Sequence, residues 1–193
     1  MNLSPIHLPP FTRTLLLFLM VLFVTGTAGC ANKNIFPVTS SIDRKRIEPV
    51  RIEGIIHVVN KTKKKSIKNG APFSTYYHVD TLQLSKEYIG ALKKEIAHQA
   101  FKTGNKTDKY IGVELYELNY LGAVSLSFNA SAWIKLKLKL GDSEEIFLNV
   151  KYTTPRSLSL KESFMLEAFG GVISEAVVMT LNHEEVRQYL SAR

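Results

Sequence analysis

From Val124 to Leu140 every second residue is apolar: Val124, Leu126, Phe128, Ala130, Ala132, Ile134, Leu136, Leu138 and Leu140. The intervening positions carry Ser125, Ser127, Asn129, Ser131, Trp133, Lys135, Lys137 and Lys139. A period of two sustained this long admits only extended chain with one face buried and one in water. At ~3.3 Å per residue the run would exceed 50 Å, far beyond an ordinary strand. The small residues Ala130 to Ala132 are therefore the expected place for a bend or break.

The neighbouring segments fit an antiparallel meander around this run. Tyr110–Tyr120 alternates through Ile111, Val113 and Leu115, then slips to Leu118 and Tyr120, which predicts a strand with a bulge, and Gly122 opens a turn. Gly141-Asp142-Ser143 turns the chain into Glu145–Thr153, where Ile146, Leu148, Val150 and Tyr152 share one face. Pairing across this hairpin brings Glu144 and Glu145 near Lys137 or Lys139. Upstream, Val50–Asn60 is a β-branched run interrupted by Gly54, suited to a first strand. The lysine-rich Lys61–Gly70 that follows reads as a solvated excursion with an Asn-Gly turn, and Tyr76–Leu82 as a short extra strand.

Two segments carry helical period instead. Ser85–Thr103 places Tyr88, Ile89, Leu92, Ile96, Ala97 and Ala100 on one face, with Ser85 as the expected cap and Gly104-Asn105 as the stop. Leu160–Leu181 buries Phe164, Ala168, Phe169, Val172, Ile173, Ala176, Val177 and Leu181. Gly170-Gly171 costs a helix interior ~1 kcal/mol per glycine relative to alanine, which close approach to the sheet would offset. Asn182 with Glu185 three residues on suggests a capping box for a last short helix. The order β-α-β-β-β-α predicts an α+β fold: a single, mostly antiparallel sheet with two main helices packed on one face.

The N-terminus addresses where the chain works. Arg13 precedes the apolar run Thr14–Val24, small residues follow, and Cys30 is the sole cysteine. A basic lead, an apolar run of roughly 7–15 residues and a small-residue exit make a secretory signal peptide, too short for a membrane span. Thr27-Ala28-Gly29-Cys30 resembles the lipobox of bacterial lipoproteins, with Thr27 where Leu is more usual. The resemblance implies cleavage before Cys30, acylation of its thiol and, with Ala31 next, the periplasmic side of the outer membrane. The expected division is 1–29 signal peptide, 30–48 lipid anchor and tether, and 49–193 periplasmic domain. Arg44, Lys45 and Arg46 fall in the tether, as a solvated linker.

The chain has a formal net charge of +8, of which residues 1–29 hold only Arg13. The excess favours anionic partners at the membrane, and export makes nucleic acid an implausible one. One cysteine gives neither a disulfide framework nor a thiolate metal site. His57, His78, His98 and His183 show no metal-ligand spacing, and no nucleophile motif or glycine-rich phosphate loop occurs. His78 and Asp80 form the best acid–base pair on offer. The expectation is no catalytic residue, no cofactor and no metal.

The overall pattern, a strand, a helix, a meander with an Ala-x-Ala-x-Ile-x-Leu strand and a helix closing on Leu-Asn-His-Glu-Glu-Val-Arg-Gln-Tyr-Leu, resembles the YajG-type outer-membrane lipoproteins and the auxiliary lipoproteins of ABC-type lipid transport systems. That resemblance implies a membrane-anchored, non-catalytic accessory or assembly subunit of a cell-envelope complex. A second reading is a binder of anionic lipid, lipopolysaccharide or peptidoglycan through Trp133, Lys135, Lys137 and Lys139, since tryptophan is frequent at interface hot spots and aligned lysines make a positive strip.

Overall fold

The computed structural model describes residues 33–34, 38, 40–63, 66–70, 76–100, 107–124, 128–143, 145–155 and 163–192. The expected signal peptide and lipobox, with Cys30, and Glu144 lie outside them.

Among the described residues, seven strands and three α-helices follow one another: β1 Lys33–Asn34, β2 Ile55–Asn60, β3 Ser66–Gly70, β4 Tyr76–Asp80, α1 Thr81–Gln99, β5 Asp108–Val124, β6 Phe128–Leu140, β7 Glu145–Thr153, α2 Ser163–Asn182 and α3 Glu184–Ser191. The main sheet has four strands in the order β2-β5-β6-β7. It is mixed: β2 runs parallel to β5, and the rest is an antiparallel meander. The α+β fold in the β-α-β-β-β-α order is as the sequence predicts, with α1 over β2 and β5 and α2 over β6 and β7. A second sheet, β1-β4-β3, is added to it. It takes in Ser66–Gly70, so part of the lysine-rich excursion is paired strand, with the reversal after Gly70 and not at Asn69.

The long alternating run is two strands. Val124 pairs with Phe128, Gly122 with Ala130 and Tyr120 with Ala132. The chain therefore reverses between Val124 and Phe128, Gly122 lies within β5, and no break occurs at Ala130–Ala132. The bulge expected in β5 falls between Leu115 and Glu117. There the Leu115 amide donates to Thr62 Oγ1 at 2.9 Å, which keeps a buried N–H satisfied.

Ile111, Val113, Leu115, Ile134, Leu136 and Leu138 supply the sheet's share of the core, and Leu84, Tyr88, Leu92, Phe169, Val172 and Ile173 the helices' share. Each such side chain contributes about 1.5–3 kcal/mol on burial. Tyr88 and Thr180 share a 2.7 Å hydrogen bond that joins α1 to α2 in the core, and burial pushes the Tyr88 phenol well above its usual range. Residues 164–182 are apolar enough to cross a membrane, yet most of that helix is buried inside the protein.

Helix ends differ from the sequence expectation. Asp80 caps α1, its carboxylate accepting from the Leu82 amide at 2.7 Å. Ser85 is buried one turn inside, bonded to Thr62 and Asn60. At α3 the cap position is His183, whose side chain makes no capping bond. Asn182 instead grips the N-terminal segment, accepting from the Glu48 amide at 2.9 Å and donating to the Arg46 carbonyl at 2.7 Å. Gly54, at φ +89°, ends the irregular segment and starts β2, so the first strand is shorter than Val50–Asn60.

Residues 40–50 are fastened down, not a solvated linker. Arg44 binds Glu95 of α1 through two bonds of 2.8 and 2.9 Å, Arg46 pairs with Glu175 of α2, and Arg187 of α3 donates to the carbonyls of Glu48 and Pro49. Val38, Ile47 and Val50 join the core. The Arg44 guanidinium, by its hydrogen bonds, holds the buried Glu95 carboxyl below the usual carboxylate range. A depressed carboxyl stabilises the fold above its unfolded value of about 4.3 and stops doing so as pH falls through the lowered value. Arg44→Ala is therefore expected to lower Tm at pH 7, with the gap to the parent closing below about pH 4; Tm measured from pH 3 to 7 checks this, and a constant gap would contradict it.

Candidate functional site

Alternation puts the helix-free face of the main sheet in water, and its makeup is unusual. Seven large apolar side chains are exposed among the described residues: Ile55, Val59, Tyr110, Leu121, Phe147, Leu166 and Met179. The registers place the first five on this one face. Ile55 and Val59 come from β2, Tyr110 and Leu121 from β5, and Phe147 from β7. Tyr116, displaced by the bulge, meets Phe147 edge-on with ring centroids 6.2 Å apart.

Trp133, Lys135, Lys137 and Lys139 lie on the same face in a row along β6, Trp133 partly exposed. The lysines do not form a bare positive strip. Lys135 pairs with Glu117 at 2.6 Å, and Lys137 with Glu114 at 2.9 Å and Glu145 at 3.3 Å. These hydrogen bonds raise the pKa of both lysines and lower that of Glu117. Lys139 is exposed and has no ion-pair partner among the described residues. The bulge decides the pairing: it shifts the register so that Glu117, and not Tyr116, stands opposite Lys135.

Two hollows border the face. A depression of about 430 Å³ sits over Gly112, ringed by Val59, Tyr110, Lys61, Lys137, Lys139 and Glu145. A groove of about 540 Å³ runs between the β2 edge and α1, lined by Ile56, Ile96, Ala97, Ala100 and Lys93, with His57 and Tyr110 at its rim.

At that rim is a constellation that sequence spacing could not reveal. His57 Nε2 lies 2.9 Å from Asp108 Oδ1, and the imidazole stacks on Tyr110 at 4.9 Å. The parallel β2–β5 register, pairing His57 with Tyr110 and Ile55 with Asp108, brings His57 to a residue 51 positions further on. His and Asp are both about half exposed, and the pair has the geometry of a surface ion pair. Of the pair read from sequence, Asp80 is spent on capping α1 and the His78 side chain is outside the described set. Among the described residues no three of His, Cys, Asp and Glu converge as metal ligands would.

Neither a family model nor a curated protein matches the chain. Among solved structures it is similar to protein XCC0632 from Xanthomonas campestris, described under the family model DUF330. The identity is 11%, the match covers 83% of this chain and 95% of that one, and the TM-score is 0.45.

Proposed function

We propose that the protein is a membrane-anchored periplasmic lipoprotein of the cell envelope, acting as a non-catalytic accessory or assembly subunit that docks a protein partner on the helix-free sheet face. The observation that carries this reading is that five exposed large apolar side chains, Ile55, Val59, Tyr110, Leu121 and Phe147, all stand on one face of the sheet. Apolar patches rimmed by polar groups mark interaction sites on soluble surfaces, and aromatic side chains supply most interface hot spots. The lysines between them are largely neutralised within the chain, which suits a protein surface of mixed charge better than a polyanion. The lipobox resemblance and the apolar leader support the envelope location.

The second reading, binding of anionic lipid, lipopolysaccharide or peptidoglycan, is favoured by one feature: Lys61 and Lys139 beside the depression over Gly112. One experiment separates the two. Envelopes solubilised in detergent are passed over the immobilised full chain, the parent against Phe147→Glu and Lys139→Glu. Docking predicts a stoichiometric protein partner captured by the parent, lost with Phe147→Glu and kept with Lys139→Glu. The anionic reading predicts the reverse sensitivity, with retention on anionic vesicles falling for Lys139→Glu. Both substitutions are at exposed positions, so Tm should stay within a few degrees of the parent.

A further inference from the structure

The main sheet ends on β7, a nine-residue strand with nothing paired to its outer side among the described residues. Such an edge invites another strand. Which groups it offers follows from the ladder. The Thr154 amide donates to the Ala130 carbonyl at 2.8 Å, and hydrogen-bonded pairs alternate along an antiparallel register. The even-numbered residues of β7 therefore bond to β6, while Glu145, Phe147, Asn149, Lys151 and Thr153 aim their N–H and C=O outward. No proline or inward-pointing charge guards this edge. Its inward residues Ile146, Leu148 and Val150 are buried and apolar, and its outward side chains are exposed.

We infer that β7 pairs antiparallel with β7 of a second copy of this chain, about a two-fold axis through Leu148. Charge selects both the occupant and the register. An antiparallel two-fold centred on Leu148 sets Glu145 opposite the partner's Lys151, and by symmetry Lys151 opposite the partner's Glu145. It also makes Glu145, Phe147, Asn149 and Lys151 the residues that exchange main-chain bonds, matching the groups left outward. Moving the axis by one residue toward Asn149 sets Phe147 opposite Lys151, and moving it toward Phe147 sets Glu145 opposite Asn149, so either shift loses both ion pairs. Lys151 has no acidic partner among the described residues of its own chain, whereas Glu145 has only a 3.3 Å contact with a lysine already held by Glu114. Opposite charges directly across a strand pair stabilise it, and like charges oppose it. In this register the two Phe147 rings become diagonal neighbours, within reach of each other across the axis. The interface is isologous, as closed dimers require.

The test is sedimentation velocity of the full chain in density-matched detergent over a range of concentrations, with charge reversal. The parent should sediment as a reversible dimer. Glu145→Lys and Lys151→Glu should each weaken it about tenfold, two like-charge contacts replacing two favourable ones. Combining Glu145→Lys with Lys151→Glu should restore the dimer to within about threefold of the parent. Asn149→Pro removes an outward amide, which an edge strand tolerates, and should abolish the dimer while the monomer's Tm changes little. A parent that stays monomeric, dimers indifferent to both single reversals or to Asn149→Pro, or a double variant as weak as the single ones would each overturn the inference.

Discussion

Gly171→Ala is expected to destabilise the protein by about 1–3 kcal/mol, lowering Tm by about 2–12 °C, although alanine is the better helix former. A Cβ at Gly171 would run into the Tyr152 ring, including the ring atom next to its Cβ, where the side chain has least freedom to swing aside. Helix propensity favours the substitution by ~1 kcal/mol, so overpacking must exceed that for the sign to be negative. The decisive measurement is the same substitution in a Tyr152→Ala background. With the ring gone, Gly171→Ala should become neutral or stabilising by up to ~1 kcal/mol. Equal losses in both backgrounds would show that the close helix–sheet approach is not why glycine stands there.

The second large effect concerns Cys30. If the lipobox resemblance holds, the native protein has lost residues 1–29 and carries acyl chains on Cys30, and Cys30→Ser retains the leader and takes up no palmitate label. Two or more chains, at ~0.8 kcal/mol per buried methylene, hold a protein stably where one holds it only reversibly. The folded domain of the parent should therefore fractionate wholly with the outer membrane and resist salt washing. Mass spectrometry and metabolic labelling decide the matter; an unmodified Cys30 in the native protein would remove the envelope assignment.

How far the residues alone reached depends on what periodicity can encode. The alternation of β6 and β7 and the apolar stripes of α1 and α2 were legible because a half-buried element must repeat its own period. The reversal between Val124 and Phe128 was not. Val124 pairs with Phe128, and three intervening residues preserve the even-numbered parity, so the sequence pattern runs through the turn unbroken. The start of α1 was hidden similarly: Thr81, Leu82, Gln83 and Leu84 alternate polar and apolar like a strand, although they lie in the helix that Asp80 caps.

At the sheet face, Trp133 and the three lysines were visible as a row, but their acids were not. Lys135 finds Glu117 only because the bulge absorbs one residue, and no sequence rule gives its place to within a residue. The apolar cluster was hidden for another reason. Alternation along β7 already turns Phe147 outward, but Ile55 and Val59 look like core residues in a chain so rich in them, and only the pairing with β5 shows that they face away from the helices.

The first strand limits how the molecule can sit. Lys33 is paired with Tyr77 of β4, so three residue steps separate an acylated Cys30 from the folded body, a radius of about 10 Å at full extension. On so short a leash the small sheet would rest against the lipid headgroups, Lys68 among its strands. With Cys30 acylated as proposed, a partner deep in the periplasm would have to come to the bilayer, because the domain could not travel to meet it.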